Sequence, residues 1–148
     1  MGLIKKKIVE RSQLVSRFMT NSDVIEAMAI FFLNDHSITK KELISMINED
    51  IFRCTLHGTF GPIVGIVCYQ RQPKYIEILL LYSHPEYNTK FIFGEILHEL
   101  KVKLDIKMRT TLCFWVPDDS LETQLLLQEN GFVAVEVHED KYLMEYKL

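Results

Sequence analysis

Apolar residues recur at helical spacing in four segments of this chain, which predicts four amphipathic helices. The first three predicted helices cover residues 23–34, 39–49 and 92–104. The fourth has Leu121, Leu125 and Leu126 as its apolar residues and ends at Asn130-Gly131. The second helix has the clearest start, because Thr39 and Glu42 form a capping box in which each side chain can bind a backbone N–H of the first turn. Gly131 predicts a left-handed end to the fourth helix.

Seven further segments are rich in β-branched and aromatic residues, which predicts strands. The predicted strands cover residues 4–9, 51–57, 62–70, 74–83, 110–116, 132–137 and 142–146. Short turn segments separate the second, third and fourth of these, so we expect an antiparallel meander there. The order is β, α, α, β, β, β, α, β, α, β, β. With 148 residues and no linker or repeat, we expect a single domain over residues 1–148.

The charge balance argues against nucleic-acid and membrane partners. The chain has 17 basic and 20 acidic residues, and a net charge of −3 gives no long-range attraction to polyanions. No apolar run approaches the ~18 residues that a membrane span needs, and the N-terminus lacks a secretion signal, so we expect a cytoplasmic protein. Lys5-Lys6-Lys7 is the local exception. We expect this run to protect an edge strand, and phosphate binding is the less favoured alternative.

The cysteines and histidines show no pattern typical of a metal site. Cys54, Cys68 and Cys113 are widely spaced and lie in apolar or β-branched runs, so they are expected to be reduced, packed thiols. The five histidines have no ligand spacing with these cysteines or with one another. We therefore expect no metal.

Four stretches carry recognisable local motifs. GPIVGIVCY (61–69) is a hairpin that leads into an apolar strand, IEILLLYSHPEY (76–87) is a strand followed by Pro-x-Tyr, ENGF (129–132) closes a helix, and MEYKL (144–148) forms a terminal strand. In this order and spacing they resemble the GCN5-related N-acetyltransferase superfamily over essentially the whole chain. The resemblance implies an α/β (α+β) fold with a mixed, largely antiparallel twisted sheet of about seven strands and about four helices on both faces.

The resemblance also implies acetyl-coenzyme A (acetyl-CoA) as the cosubstrate. In the family it binds in a cleft between the fourth and fifth strands, where the pantetheine arm hydrogen-bonds to open strand backbone. The carry-over assigns Leu80, Leu81 and Tyr82 to this arm, and it assigns the loop that opens the next helix to the pyrophosphate. The residues of this loop are Asn88, Thr89, Lys90, Phe91, Ile92, Phe93 and Gly94. Ser120 aligns with the Asn that usually opens the last helix, and its hydroxyl can cap that helix.

The pyrophosphate loop departs from the family pattern at its three defining positions. Similar proteins carry Arg or Gln, then Gly, then Gly or Ala, where this chain has Asn88, Phe91 and Phe93. The backbone N–H groups remain, but a benzyl group can block the close approach of phosphate to backbone. Two interpretations stay open. In one, Lys90 supplies charge and Gly94 supplies room through a turn offset by one residue; in the other, both phenylalanines pack onto the sheet or fill the cleft.

Direct acetyl transfer needs a base for the amine and an acid for the leaving thiolate. Glu77 is the candidate base, because it is the only charged residue of its predicted strand's apolar run; the alternative is a solvent-facing residue. The family's acid is commonly a Tyr, and that position is Leu127 here, which cannot donate a proton. Tyr82 and His84 are candidates to replace it, although a Tyr at a strand end more often packs. His57 is expected at the surface.

The sequence therefore predicts an acetyl-CoA-dependent N-acetyltransferase that transfers an acetyl group to a primary amine of a small molecule or a protein. The alternative is a non-catalytic binding or assembly module of the same fold that has lost acetyl-CoA binding. Asp35, Glu49, Asp50 and Glu139 can attract an amine acceptor to the first two helices and the last hairpin. Dimers are common in this family, so the resemblance allows a homodimer.

Overall fold

The computed structural model of the chain describes residues 6–32, 38–49 and 52–148. These ranges contain seven strands, four α-helices and two short 3₁₀ turns. The strands are β1 (Leu14–Phe18), β2 (Phe52–His57), β3 (Ile63–Arg71), β4 (Tyr75–Ser83), β5 (Thr111–Pro117), β6 (Val133–His138) and β7 (Lys141–Lys147). The α-helices are α1 (Val24–Phe31), α2 (Lys40–Asn48), α3 (Thr89–Lys101) and α4 (Leu121–Glu129). The 3₁₀ turns are Arg11–Gln13 and Asn21–Asp23.

The strands form one sheet in the order β1-β2-β3-β4-β5-β7-β6. The pairs β1–β2, β2–β3, β5–β7 and β6–β7 are antiparallel, whereas β4 and β5 are parallel. The parallel register begins with Tyr75 opposite Thr111 and ends with Ile78 opposite Phe114. Both β4 and β5 continue beyond this last pair. The prediction of a largely antiparallel, seven-stranded sheet with four helices is therefore confirmed.

Backbone contacts divide the described chain into two compact units. The first unit comprises the residues up to Cys68 together with Leu80–Phe93, and it holds β1, β2, α1, α2, most of β3, the end of β4 and the start of α3. The second unit comprises Tyr69–Leu79 and Gly94–Leu148, and it holds β5, α4, β6, β7 and the remaining parts of β3, β4 and α3. The single domain over residues 1–148 stays a prediction.

The first unit buries apolar side chains of both its helices and its strands. Ala27 and Phe31 of α1, Leu43 and Ile47 of α2, and residues 63–68 of β3 are all buried. A strand covered on both faces reads as a continuous apolar run instead of an alternating one, which explains the sequence of β3.

Helix α2 starts where the capping box predicted. The N–H of Glu42 donates to the Thr39 hydroxyl oxygen at 3.1 Å, which satisfies one of the first-turn donors. The Glu42 carboxylate accepts from the same hydroxyl at 3.0 Å, so it binds the Thr39 side chain where we expected the Thr39 backbone N–H.

A bidentate ion pair joins β1 to the start of α1. Arg17 donates to both carboxylate oxygens of Asp23, at 2.7 and 2.9 Å, and the backbone N–H of Thr20 donates to the same carboxylate at 2.8 Å. Asp23 is 8% exposed. The hydrogen bonds from Arg17 lower the pKa of Asp23, against the opposing effect of burial.

The second unit contains the predicted helix end. Gly131 has φ of 89°, and its N–H donates to the Gln128 carbonyl while the Phe132 N–H donates to the Leu127 carbonyl, both at 3.0 Å. This is a Schellman motif, in which two otherwise unsatisfied carbonyls gain donors. A Cβ at position 131 would also lie 3.3 Å from the Tyr146 ring.

The three cysteines are free and buried, as predicted. Burial raises the pKa of Cys54 to about 11 and the pKa of Cys68 and Cys113 to about 12, so the thiols stay protonated at neutral pH. In the described ranges, no group of three or more His, Cys, Asp or Glu is placed to hold a metal ion. None of the described helices is long and apolar enough to span a lipid bilayer.

The predicted first strand is wrong in position. Ile4 and Lys5 lie outside the described residues, and in the rest of that segment only Lys7 forms a β-bridge, parallel to Tyr87. The edge strand is instead Leu14–Phe18, which lies between the predicted first strand and the predicted first helix. Lys6 and Lys7 therefore do not protect a sheet edge. The strand escaped detection because its five residues show no clear alternation of buried and exposed positions.

Replacing Asp23 by Asn should lower the free energy of unfolding at pH 7 by about 1–2 kcal/mol. A fully buried ion pair would contribute more, but solvent screens this one because the Arg17 side chain is 39% exposed. Since folding lowers the pKa of Asp23, its contribution is complete above the unfolded value of about 4 and is lost as the pH falls through the folded value. Urea unfolding from pH 7 down to about 2.5 should show the difference from wild type shrinking. Asp119→Asn, at an exposed turn, is the matched control, and a pH-independent difference for Asp23→Asn would contradict this account.

Candidate functional site

Helix α3 starts at the residues that the sequence assigned to a phosphate. Asn88 precedes the helix, and the first intrahelical bond runs from the Ile92 N–H to the Asn88 carbonyl at 3.0 Å. An α-helix leaves the N–H groups of its first turn without acceptors inside the helix, and its N-terminus carries partial positive charge. The start of α3 therefore has the backbone chemistry of an anion site.

The N-terminal segment lies beside this helix start. The Lys7 N–H donates to the Glu86 carbonyl at 2.6 Å, and the Lys7 carbonyl accepts from the Asn88 N–H at 3.0 Å. These bonds place the Lys6 ammonium within 2.9 Å of the Thr89 hydroxyl oxygen. Sequence reasoning missed this contact because the two residues are 83 positions apart.

The Lys7 side chain turns to the loop instead. Its ammonium lies 3.6 Å from a Glu86 carboxylate oxygen and 5.6 Å from the centre of the Tyr87 ring. Both members of this ion pair are 64% exposed, so the pair contributes little stability. It does hold the ammonium beside the loop that leads into α3.

The two phenylalanines of the loop have different surroundings. Phe93 is 6% exposed and belongs to the buried core, whereas Phe91 is half-buried. Ile92 and Ile96 are both buried, which shows an unbroken helical register, and Gly94 lies inside α3. The turn offset by one residue therefore does not occur. A Cβ at position 94 would meet no described atom closer than 3.8 Å, so Gly94 is not required by the packing.

The end of β4 lies in the first unit and carries Leu80, Leu81 and Tyr82. These residues follow Ile78, which is the last residue of β4 in register with β5. The half-buried Tyr82 ring packs edge-on against Phe32, with ring centres 5.2 Å apart. This contact agrees with the interpretation of Tyr82 as a packing residue.

His84 and Tyr87 form an aromatic cluster with neighbouring rings. The His84 ring centre lies 5.1 Å from Tyr87 and 6.5 Å from Phe31, and His57 lies 5.8 Å from Tyr87. His57 contacts this cluster and is half-buried, so it is only partly at the surface, where we expected it. His84 Nδ1 accepts the Glu86 N–H at 3.1 Å. Burial lowers the pKa of His84, so the imidazole is neutral at pH 7 and its proton lies on Nε2.

Glu77 lies on β4 in the second unit and is half-buried. It lines a groove of about 490 Å³ on the face formed by β4, β5 and β7. In the register of the sheet it stands opposite Cys113, which in turn stands opposite Glu145. Its intermediate exposure is compatible with both interpretations of Glu77, so its role as a base stays a prediction.

Two positions of α4 differ from the family's functional pattern. Leu127 is completely buried, so the position of the missing acid faces the core. Ser120 occupies the N-cap of α4, but its side chain makes no capping hydrogen bond. The expected cap is therefore wrong, and the Gln124 side-chain amide instead donates to the carbonyls of Pro117 and Asp118, at 3.0 and 3.3 Å.

Comparison with known proteins identifies the fold. No family model and no curated protein sequence matches the chain. Among solved structures, the PaiA N-acetyltransferase of Thermoplasma acidophilum in complex with coenzyme A superposes with a TM-score of 0.77 at 17% identity, covering 91% of this chain and 99% of that one. Ard1 of Thermoplasma volcanium gives 0.77 at 14% identity over 92% and 98%. Arabidopsis thaliana NAA60 in complex with acetyl-CoA gives 0.74 at 14% identity over 91% and 99%. This chain has the fold of the GCN5-related N-acetyltransferases.

Within the acetyltransferase fold, the predicted site residues fall into both units. Leu80, Leu81, Tyr82 and residues 88–93 belong to the first unit, and residues 77, 94 and 120 belong to the second. The structure adds Lys6 and Lys7 to the first group. Asp35 and Asp50, named for the amine acceptor, lie outside the described residues.

Because position 127 is enclosed by the core, restoring the family's tyrosine there should not create an acid. Leu127→Tyr is expected to destabilise the protein by about 1–3 kcal/mol through overpacking. Leu125→Tyr, at a position of the same helix that is 50% exposed, should be nearly neutral. Thermal unfolding compares the two variants, and equal stabilities would show that the core at 127 accommodates the larger ring.

Proposed function

We propose that this chain is an acetyl-CoA-dependent N-acetyltransferase that transfers an acetyl group to a primary amine of a small molecule or a protein. The fold supports this proposal, since similar structures include acetyltransferases bound to coenzyme A and to acetyl-CoA. The observation that carries it is the Lys6 ammonium at the first residue of α3. It supplies positive charge at a helix start that has lost the family's Arg or Gln.

The residues at the start of α3 fit a diphosphate in charge and in donors. Lys6 lies against Thr89, and Lys90 is exposed in the first turn of the helix. Backbone N–H groups at a helix N-terminus bind phosphate oxygens, and adjacent ammonium groups add charge-assisted hydrogen bonds. In this proposal Asn88, Thr89 and the rest of the stretch to Gly94 hold the pyrophosphate. The Phe91 ring would hinder the approach of the phosphate to this backbone.

The remaining roles follow from the chemistry of each side chain. Bound acetyl-CoA would supply the acetyl group as a thioester. The backbone of Leu80, Leu81 and Tyr82 would receive the pantetheine arm, because β4 continues beyond its last pair with β5. Glu77 would accept the proton of the amine.

His84 follows Tyr82 closely in the chain, and the Nε2–H of its neutral ring would donate a hydrogen bond to the leaving thiolate, while water would supply the proton. Its Nδ1 is engaged by the Glu86 N–H, which fixes this tautomer. Ser120 would take part through its position at the start of α4, without a capping role. In similar proteins the group that assists the leaving thiolate lies on the helix that here carries Leu127. In this protein a side chain at the end of β4 or in the following loop would take that role.

The alternative is a binding or assembly module that has lost acetyl-CoA. Buried Leu127 and buried Phe93 favour it, because both are core residues at positions that serve the cofactor in similar proteins. Lys6 and Lys90 at the start of α3 favour the transferase, since a module that binds no phosphate has no use for positive charge there. Binding of acetyl-CoA separates the two functions.

Calorimetric titration with acetyl-CoA should give a dissociation constant in the micromolar range for the transferase. Lys6→Ala should weaken binding by about 3- to 10-fold, because an exposed charge-assisted hydrogen bond is lost. Lys141→Ala, which removes an exposed lysine at the start of β7, is the matched control and should bind like wild type. Equal weakening in both variants would assign the effect to net charge alone. The absence of binding at millimolar ligand would exclude the transferase and support the module.

Phe91→Gly should tighten acetyl-CoA binding by about 3- to 10-fold if the ring obstructs the phosphate. Phe91→Ala distinguishes the ring from the Cβ atom, since the ring is removed in both variants and the Cβ only in the glycine variant. Glycine in a helix costs about 1 kcal/mol, so thermal unfolding should accompany the titration. Unchanged or weaker binding in both folded variants would show that the steric explanation is wrong.

A further inference from the structure

One face of the second unit carries a groove in which the proposed function gives a role to Glu77 alone. It lies over β4, β5 and β7, with a volume of about 490 Å³. Glu77, Cys113, Trp115, Leu143 and Glu145 line its centre. Successive residues of a strand point to opposite faces, so residues two apart on β5 and β7 share this face.

Strand register places two carboxylates on either side of a short side chain. Glu77 stands opposite Cys113, and Cys113 stands opposite Glu145, so the three residues form one row across the sheet. Two strand spacings separate the backbones of Glu77 and Glu145, which is about 10 Å. Cys113 is 6% exposed and forms the floor between them. Because its side chain is short, the space between the carboxylates is left open.

Lysines share the groove with the two carboxylates, but among the described residues they form no ion pair with them. In the part of the chain that the structure describes, neither Glu77 nor Glu145 makes a side-chain hydrogen bond or an ion pair, although both are half-buried. Lys74 and Lys147 line the same groove and form no ion pair with them. A half-buried carboxylate loses part of its hydration, and this loss is offset when a cation binds.

The floor of the row is neutral. Burial, together with the charges of Glu77 and Glu145, raises the pKa of Cys113 to about 12, so the thiol keeps its proton. A protonated thiol is not a metal ligand, and no metal-binding group was found among the described residues. The groove lining carries two glutamates and two lysines, so the negative charge is local to the row of Glu77 and Glu145. At that row it suits an organic cation.

The next row of the same face is apolar and aromatic. Trp115 stands opposite Leu143 in the β5–β7 register, two residues along from Cys113 and Glu145. The indole is half-buried, and its ring centre lies 6.4 Å from that of His138 in an edge-on arrangement. An indole face attracts cations, and its area suits a short hydrocarbon chain.

We propose that this groove binds a primary alkylammonium ion, with the ammonium group between Glu77 and Glu145 and the alkyl chain against Trp115 and Leu143. The ammonium donates hydrogen bonds to both carboxylates, which matches its three donors. Binding itself does not require acetyl-CoA. The identification of this ion as the amine acceptor rests on the proposed function, and it would place Glu77 against the amine that loses a proton.

Trp115 makes this binding directly measurable, because it is the one tryptophan of the chain. Titration with n-butylammonium chloride at constant ionic strength, without acetyl-CoA, should change the tryptophan fluorescence in a saturable way. Glu77→Gln and Glu145→Gln should each raise the dissociation constant about tenfold or more, since each removes a charge-assisted hydrogen bond while keeping the shape of the side chain. Glu122→Gln, an exposed residue of α4 outside the groove, is the matched control and should bind like wild type.

Potassium chloride and n-butanol should give no saturable change, since one lacks the alkyl chain and the other lacks the charge. An equal response to either, or unchanged affinity in both glutamine variants with wild-type thermal unfolding, would overturn the inference. Failure of n-butylammonium to bind to a protein that binds acetyl-CoA would overturn it as well and leave the transferase intact. Binding of n-butylammonium without acetyl-CoA binding would uphold the groove and refute the transferase.

Discussion

Two backbone hydrogen bonds of Lys7, one to Glu86 and one from Asn88, determine the composition of the candidate phosphate site. They hold the N-terminal segment against the loop before α3 and set the Lys6 ammonium beside Thr89. Main-chain bonds of this kind fix position, whereas the exposed contacts of the two lysine side chains contribute little to stability. The charge at the helix start is therefore a consequence of backbone pairing. Without that pairing, α3 would begin with its dipole and Lys90 alone.

The loop held by Lys7 is also organised from within. The Tyr87 N–H donates to the His84 carbonyl, and the Glu86 N–H donates to the His84 ring. The rings of His57 and Phe31 enclose the same turn. A loop with this many internal bonds keeps its first-turn N–H groups in place, and preorganised donors bind an anion at lower entropic cost. Phe91 and Phe93, where the resemblance expects small residues, would therefore affect the steric access of a phosphate more than the positions of the N–H donors.

The two units carry opposite chemistry. The first combines a helix N-terminus with lysines, and the second combines two carboxylates with an indole. The net charge of −3 predicts neither the local cluster of positive charge nor the pair of carboxylates, because net charge averages over the whole surface. Leu127 and Phe93 both belong to the core, so neither side chain is presented to solvent.

The sequence by itself determined the local features of this protein. Thr39 and Gly131 mark helix ends through bonds made within a few residues, and the order of strands and helices follows from periodicities that are also local. The position of β1, the contact of Lys6 with Thr89, and the row from Glu77 through Cys113 to Glu145 were decided only by the tertiary structure. Each depends on the register between segments far apart in the chain. Register is set by the packing of the whole sheet, which no short stretch of residues encodes.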